Sequence, residues 1–314
     1  MSRYSMNKEV TLTMIKIIII FSLIFSFQVN AVLAIKKSKL GEDLASYTVT
    51  NQNSQFSFKV YFDNELEEVA SQSIPILNDL YSNLASNAGL QPSNITWAEV
   101  AFVTDEDYIP PRKNGAVRWK IVHEKSQTLS RSAIEAFYVF IGHEQTHSIQ
   151  NVLSCKSPRW FGEGQAMWNE LKVTKVWDNQ IAIKERSRYE TAYENLEDDL
   201  NLDSWGEIQV KPEAIQRQLT PEQKQKMKED PSYSPPGPFG FGPDDLISDE
   251  SNSDARYFTS LTIFEYLEKE LGMENLELLF NNIYQMKNCE SDSLQEFIRT
   301  EYKLDISNFF DQST

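Results

Sequence analysis

The chain is poor in the residue types on which several common enzyme classes depend. Among its 314 residues it has only three histidines, two cysteines and eleven glycines. It shows no internal repeat, no glycine-rich loop of the kind that cradles phosphates, and no serine or cysteine nucleophile motif. These absences argue against nucleotide-dependent enzymes, repeat scaffolds and the common covalent hydrolases.

Positive charge is also scarce. Thirty Lys and Arg stand against 46 Asp and Glu, which gives a formal net charge of −16. Such a surface repels phosphate backbones, so we expect no nucleic acid partner. The chain is nevertheless 40% hydrophobic and 12% aromatic, which is enough to bury a core. Its length suits one large domain or two closely packed ones.

The N-terminal apolar run is too short to cross a membrane. It extends over eleven residues from Ile17 to Phe27, whereas a transmembrane helix needs about 20. Basic residues precede it, and the small residues Ala31 and Ala34 follow. This pattern predicts a secretory signal over residues 1–34, export to the periplasm or the extracellular space, and no stable membrane insertion after cleavage. An uncleaved anchor is the alternative, and Met14 is an alternative start.

Two of the three histidines share one short motif, H-E-Q-T-H, which supplies His143, Glu144 and His147. On a helix, residues four apart lie on one face, so both imidazoles can converge on one metal ion. Glu144 lies roughly 60° to 100° around the helix from the histidines. It is therefore too far away to be a natural third ligand but close enough to reach a metal-bound water, where a general base belongs.

A second motif supplies the missing ligand. The run R-W-F-G-E-G-Q-A-M-W, from Arg159 to Trp168, contains Glu163, sixteen residues after His147. A catalytic zinc site needs three protein ligands and an open position, and a turn over residues 153–158 would bring Glu163 back beside the first helix. The alternative is an amphipathic helix with two hydrogen-bonded histidines. It explains less, because two of only three histidines fall in this motif.

The pair H-E-Q-T-H-S-I-Q and R-W-F-G-E-G-Q-A resembles the gluzincin metallopeptidases, in particular the peptidase MA-like domains, over about forty residues. The resemblance implies a zinc ion (Zn²⁺) held by His143, His147 and Glu163. It also implies that Glu144 is the general base, and that a zinc-activated water hydrolyses peptide bonds of a peptide or protein substrate.

One position departs from the family pattern. Thermolysin-like enzymes place an acidic residue four positions after the third ligand, and this chain has Met167 there. The partner that orients a ligand histidine must therefore come from elsewhere or be missing. This leaves an alternative function open, in which a catalytically degenerate zinc-containing module binds a peptide or an envelope partner without cutting it.

The predicted fold is α+β and zincin-like, with a small mixed sheet, a buried metal-binding helix and a C-terminal helical lobe. Alternating apolar residues predict strands at 55–63, 95–104 and 116–123. By resemblance, the third strand is the sheet edge over the cleft, where the substrate backbone adds as an antiparallel strand. The predicted organisation has four parts. A signal peptide (1–34) precedes an N-terminal α+β part with the metal motif (35–177). A polar insertion with a Pro/Gly-rich loop (178–252) and a C-terminal helical part (253–314) follow.

Several local features refine this picture. A helix is predicted after residue 63, with a kink at Pro75 and an end at Gly89, and further helices are predicted at 254–271, 276–284 and 293–302. Capping boxes are predicted where a small polar residue is followed three residues later by Glu, at Asn64/Glu67, Ser132/Glu135 and Ser293/Glu296.

Two further residues are candidates for the active site. In peptidase MA-like chains a tyrosine near the start of the first C-terminal helix often faces the metal, and Tyr257 fits that place. His123, the one histidine outside the motif, is the other candidate donor to an oxyanion. Each has a structural alternative, since Tyr257 also fits a packed core aromatic and His123 a solvated or packed strand end.

The cysteines and the proline-rich loop leave alternatives open. Cys155 and Cys289 form either one intramolecular disulfide, as an oxidising compartment favours, or two unpaired thiols. The run from Pro231 to Pro243 has five prolines and three glycines, so it is irregular. It is either an exposed loop or a flap near the cleft that carries Phe239 and Phe241.

Overall fold

The computed structural model describes residues 32–39, 44–110, 117–196, 200–206, 208–230, 233, 235 and 240–310. The predicted signal segment lies outside these residues except for 32–34, and Leu33 and Ala34 begin the first strand. Of the two phenylalanines of the predicted flap, Phe239 lies outside the described residues and Phe241 lies inside. Within the described ranges, no helix is long and apolar enough to cross a membrane.

A five-stranded sheet forms the N-terminal half, with strands that neighbour one another in chain order. They are β1 (Leu33–Lys39), β2 (Ala45–Asn51), β3 (Phe56–Phe62), β4 (Glu99–Val103) and β5 (Arg118–Val122). The first three pair antiparallel, while β3–β4 and β4–β5 pair parallel, so the sheet is mixed. In the described sheet β5 has one neighbour and is an edge strand, as predicted for the third strand.

Strand β3 and the helix after it follow directly from the apolar pattern, whereas strands β1 and β2 were not predicted. In β3 the alternate residues Phe56, Phe58, Val60 and Phe62 are all buried, as the period of a half-buried strand requires. Helix α1 (Glu67–Asn87) contributes its apolar face to the same core and includes Pro75 in its interior.

Eight further α-helices and a small two-stranded sheet follow in the described chain. The helices are α2 (Arg131–Ala136), α3 (Gly142–Gln150), α4 (Arg159–Trp177), α5 (Asn179–Glu194), α6 (Pro212–Gln218), α7 (Pro221–Glu229), α8 (Ser253–Tyr284) and α9 (Ser291–Tyr302). Strands β6 (Ile208–Val210) and β7 (Leu246–Ser248) pair antiparallel. The two helices predicted on either side of Gly272 are both present. Element α8 consists of two helical segments that meet at a kink at this glycine, whose backbone is non-helical with φ of 72°.

Two hydrophobic clusters meet along α4. The first joins the sheet, α1 and the helix that carries the histidines, and α4 contributes Val173 to it. The second is built from α4, α8, α9 and the segments between them, and α4 contributes Trp160, Phe161 and Trp168 to it. Because α4 is buried on nearly all sides, its polar residues are held in fixed positions. The candidate site lies where these two clusters join.

The α+β class, the mixed sheet and the helical C-terminal region are confirmed. The predicted capping boxes are wrong. Helix α1 begins at Glu67 after a 3₁₀ turn (Asn64–Leu66), and no side chain caps it. Helix α2 is capped by Ser130 rather than Ser132. Helix α9 begins at Ser291, two residues before the predicted start, without a side-chain cap. In each case the same spacing of polar residue and Glu occurs close to the true start without marking it.

Candidate metal centre

The histidines lie on a long helical element with an irregular middle. Ser130 caps α2 by accepting a hydrogen bond from the Ala133 backbone N–H. A π-helical turn (Phe137–Ile141) then joins α2 to α3, which begins at Gly142. Turns of this kind are frequent at functional sites because they shift the faces that follow. Here the shift comes directly before the motif.

Three ligand atoms converge at one point. Oε2 of Glu163 lies 3.3 Å from Nε2 of His143 and 3.2 Å from Nε2 of His147. All three ligand atoms lie within 4.8 Å of one another, and the three side chains are half-buried. With zinc–ligand bonds of about 2.0–2.1 Å, tetrahedral ligand atoms are roughly 3.3–3.4 Å apart. The separations from Glu163 therefore match those of a zinc site.

The donor set also fits zinc chemically. Two imidazole nitrogens and one carboxylate oxygen are the ligands that catalytic zinc sites use, with a fourth position left for water or substrate. The sequence predicted these three residues, and the structure brings them together from α3 and α4.

The outer nitrogen of His143 has a partner that the sequence analysis missed. Nδ1 of His143 lies 3.1 Å from Oε2 of Glu170, whose side chain is only 5% exposed. Donation from Nδ1 to this carboxylate leaves the Nε2 lone pair free to face a metal. Met167, at the position where the family pattern has an acidic residue, is fully buried in the second hydrophobic cluster instead. The acidic partner is thus present, but one helical turn further along α4.

The Nδ1 atom of His147 has a neutral hydrogen-bond partner, where that of His143 has a carboxylate. Nδ1 of His147 lies 3.0 Å from Oε1 of Gln150, and Nε2 of Gln150 donates to the Gly162 carbonyl at 2.7 Å. Gln150 also donates to Gln165, which in turn donates to the hydroxyl of Tyr284 at 2.8 Å. This chain of hydrogen bonds fixes both the tautomer and the ring plane of His147. It also links the ligand to the far end of α8.

Gly164 explains how α4 reaches its position. A Cβ at this residue would lie 2.8 Å from both the Phe264 ring and the Ser260 carbonyl oxygen of α8. Only glycine therefore allows the two helices to approach so closely beside Glu163. The second glycine of G-E-G is therefore a packing requirement as well as part of the motif.

Charges at the site are strongly coupled. Burial disfavours the charged form of His143, but its hydrogen bonds with Glu163 and Glu170 outweigh this and raise its pKa to about 9. Burial alone would raise the pKa of Glu163, yet the hydrogen bonds with His143 and His147 hold it well below its usual range. The pKa of Glu170 is raised, mainly by burial. Without a metal, the site therefore holds a proton on His143 at neutral pH.

Glu144 lies one residue after the first ligand and is half-buried. No hydrogen bond joins its carboxylate to another residue of the described ranges. A half-buried carboxylate without a fixed partner next to a metal site is suited to accepting a proton.

Tyr257 lies beside His143, the first ligand histidine. Its ring centroid lies 6.2 Å from that of His143, and its hydroxyl lies next to Glu163 and Arg159. Burial and the negative charge of Glu163 raise the pKa of the phenol, so it remains protonated at neutral pH. Tyr189 and Trp205 pack against the ring, with centroids at 5.6 and 4.9 Å, and fix its orientation.

Both ring nitrogens of His123 are hydrogen-bonded to backbone groups. Its Nδ1 donates to the Glu124 carbonyl at 2.7 Å, and its Nε2 accepts from the Ser130 backbone N–H at 3.1 Å. The side chain is buried and packs against Phe102. With both nitrogens used, His123 supports the cap of α2 and has no donor left for an oxyanion.

A disulfide links the connection between the two ligand helices to the C-terminal region. Cys155 and Cys289 are bonded, with Cα atoms 5.7 Å apart. Nearby, the Trp160 indole donates to the Ser291 hydroxyl at 2.9 Å. The segment that leads into α4 is therefore tied to the start of α9.

Comparisons with known proteins give little beyond this. No protein-family model matches the chain, and no curated protein matches it. Among the solved structures that match is one of native yeast LTA4 hydrolase, with a TM-score of 0.42 and 11% sequence identity. The match covers 91% of this chain and 46% of that one, so the chain spans about half the length of this neighbour. A likeness this weak carries no argument about function, which rests on the geometry of the site.

Proposed function

We propose that this chain is a zincin-like metallopeptidase of the gluzincin type that hydrolyses peptide bonds with one zinc ion. The observation that carries the proposal is the convergence of three ligand atoms. Nε2 of His143 and Nε2 of His147 lie 3.3 and 3.2 Å from Oε2 of Glu163, the spacing expected between two ligands of one zinc ion, and all three atoms lie within 4.8 Å of one another. The residues behind the ligands support the proposal, because Nδ1 of His143 is hydrogen-bonded to Glu170 and Nδ1 of His147 to Gln150. A pair of histidines that merely packs needs neither arrangement.

The three ligands would hold zinc, which supplies Lewis acidity that polarises the substrate carbonyl and lowers the pKa of the attacking water. Glu144 accepts the proton of that water and passes it to the leaving amine. Tyr257, a protonated phenol facing the centre, donates a hydrogen bond to the developing oxyanion. Glu170 and Gln150 keep the ligand rings in place during these steps.

The edge strand β5 is the place we propose for the substrate backbone. It packs beside the metal-bearing element, since Trp119 lies edge-on to Phe140 with ring centroids 4.8 Å apart. Phe140 lies one turn before His143 and is 48% exposed. An edge strand offers unpaired backbone groups, which an extended peptide can pair with next to the catalytic residues.

The competing function is a zinc-containing module that binds without cutting. Its main support was the missing acidic partner at Met167, and Glu170 now supplies that partner. Glu144 also favours catalysis, because a binder has no use for a base at that position.

One pair of measurements tests the proposed function. Purified protein should contain one zinc per chain, and it should cleave members of a broad peptide library. Glu144→Gln should keep the zinc and lose about 10²- to 10⁴-fold in cleavage rate. A parent protein that holds zinc but leaves the whole library intact would favour the binding module instead.

We propose in addition that residues 1–34 direct export of the protein and are then removed. The disulfide between Cys155 and Cys289 is compatible with an oxidising compartment. N-terminal sequencing of the protein recovered from its producing cells tests this, and an intact Met1 or Met14 would contradict cleavage.

A further inference from the structure

Arg159 touches the metal centre without belonging to the ligand set. It lies one helical turn before Glu163 on α4, and its Nε is 3.5 Å from Oε1 of Glu163. The histidines face the other oxygen of this carboxylate, Oε2. The two oxygens of Glu163 therefore have separate partners, one cationic and one directed at the metal position.

This division has a chemical consequence. A carboxylate with both oxygens free can bind a metal through either or both of them, and a second bond would occupy the open coordination position. Pairing Oε1 with a guanidinium favours coordination through Oε2 alone. It also fixes the plane of the carboxylate, which three rotatable side-chain bonds would otherwise leave variable.

Arg159 is itself held by segments far away in the chain. Its Nη1 pairs with Glu250, and its guanidinium lies over the Trp205 ring, 4.9 Å from the centroid. Gly206, with φ of 72°, leaves the space for the side chain, since a Cβ there would lie 2.8 Å from Cδ of Arg159. The arginine thus lies in a groove whose walls come from the part of the chain predicted as a polar insertion.

A buried arginine ties these walls together. Arg256, only 4% exposed, donates from Nη2 to Asp249 at 2.8 Å and to the Ser204 hydroxyl at 3.1 Å. The Gly206 backbone N–H donates to the Asp249 carbonyl at 2.9 Å. Hydrogen bonds therefore join the turn at 200–206 to the turn that contains Asp249 and Glu250. Arg256 directly precedes Tyr257, so these turns also border the phenol.

We propose that Arg159 is a positioning residue that holds Oε1 of Glu163 and the hydroxyl of Tyr257, with Glu250 as its anchor. The inference rests on the proposed function, because it concerns the same metal centre. It assigns a role to the 200–206 and 249–250 turns, which complete the outer wall of the site. An ion pair made only for surface stability would need neither the Trp205 platform nor the space at Gly206.

The test measures zinc affinity by competition with a chelator in the full-length protein, which requires no peptide cleavage. Arg159→Gln should weaken zinc binding by about 10- to 100-fold, the usual effect of losing an outer-shell partner. Arg159→Lys should recover part of that loss, because it restores the charge beside Glu163 but cannot pair with Glu250 and Glu163 together. Glu250→Gln should give a smaller loss in the same direction.

Arg299→Gln is the matched control, since it removes an exposed arginine that pairs with Glu296 on α9. Its zinc affinity should equal that of the parent. If Arg159→Gln is folded and binds zinc as tightly as the parent, the inference is overturned. If Arg159→Gln does not fold, unchanged zinc affinity in Glu250→Gln overturns it instead.

The outcomes also separate this inference from the proposed function. A parent that binds zinc, loses affinity in Arg159→Gln and cleaves no peptide contradicts the peptidase while supporting the role of Arg159. A parent that cleaves peptides with unchanged affinity in the folded Arg159→Gln variant contradicts the role of Arg159 alone. A parent without zinc affinity overturns both.

Discussion

Oε2 of Glu170 lies 3.1 Å from Nδ1 of His143, on the side of the ring opposite to Glu163. One imidazole is therefore held between two carboxylates, one that shares the metal position with it and one that is almost fully buried. The buried carboxylate makes the ring a stronger metal ligand and prevents it from rotating. His143 therefore connects the ligand Glu163, on its Nε2 side, to the buried Glu170, on its Nδ1 side.

The first prediction concerns this outer carboxylate. Glu170→Ala removes the acceptor of the His143 Nδ1–H, leaves that donor buried, and should weaken zinc binding by about 10- to 100-fold. Glu170→Gln keeps an acceptor oxygen without the charge and should lose less. Chelator competition on the purified variants measures both.

The control for this prediction is Glu274→Gln, which neutralises an exposed glutamate of α8. It should bind zinc like the parent. Equal affinities in Glu170→Ala and Glu274→Gln would mean that the contact with His143 is incidental.

The second prediction concerns the other histidine. Gln150→Leu removes the acceptor for Nδ1 of His147 and interrupts the hydrogen-bond chain to Gln165. The ring of His147 is then free to rotate, and its affinity for zinc should fall. Gln225→Leu, on the exposed helix α7, is the control. Isothermal titration with zinc would show the difference, and identical titrations would refute the role of Gln150.

Helix periodicity explains which parts of this site the sequence predicts. His143 and His147 share a face because they are four residues apart, and the W-F-G-E-G run supplies Glu163 on the next helix. The same arithmetic applies to Glu170, which follows Glu163 by seven residues and returns to within roughly 20° of its direction. The helical spacing therefore places Glu170 on the same face as Glu163, whereas the family pattern expects the acidic partner at the position of Met167.

The rest of the site depends on contacts that no local pattern encodes. The wall around Arg159 comes from Trp205, Gly206 and Glu250, which are between 46 and 91 residues away in the chain. The sequence there is polar and indicates only an irregular surface segment. The capping-box predictions were wrong for a different reason, because a polar residue followed three positions later by Glu also recurs by chance. The residue that caps α2, Ser130, is held by a hydrogen bond from its backbone N–H to His123, which no local pattern indicates.

The third prediction is a pH dependence of the metal-free protein. The pKa of His143 rises from 6.5 to about 9 in the folded state, because its hydrogen bonds with Glu163 and Glu170 outweigh the effect of burial. The stabilisation that comes from a raised histidine pKa is fully present below the pKa of the unfolded state. It is lost as the pH rises through the pKa of the folded state. The free energy of unfolding of metal-free protein should therefore decrease between about pH 6.5 and pH 9.

Urea unfolding at a series of pH values measures this decrease. His143→Gln carries no titrating group at this position and should show a flatter profile over the same range. Saturating zinc should also remove the decrease, because an imidazole that binds zinc through Nε2 is neutral and cannot take up a second proton. A parent profile identical to that of His143→Gln would contradict the assignment.

The fourth prediction concerns the disulfide. Cys155 and Cys289 are 134 residues apart, so their bond restricts a long loop of the unfolded chain. Replacing both with serine should lower the free energy of unfolding by about 2–5 kcal/mol. Chemical denaturation measures it, and the parent in reductant should behave like the double variant. Unchanged midpoints in both would show that the bond contributes nothing to stability.

The last prediction concerns Tyr257, whose role depends on its hydroxyl and not on its ring. The ring is fixed between Tyr189 and Trp205, so Tyr257→Phe keeps this packing and removes one donor that faces the metal centre. If the phenol stabilises the oxyanion, kcat should fall by about 10²-fold or more while KM changes little, because the interaction forms only in the transition state. Zinc affinity should change little, which separates this variant from those of Arg159 and Glu170. Steady-state kinetics on a cleaved peptide, with zinc content measured in parallel, gives both quantities. Because His123 has both nitrogens committed, an unchanged kcat would leave the oxyanion to the metal and the backbone and return Tyr257 to a packing role.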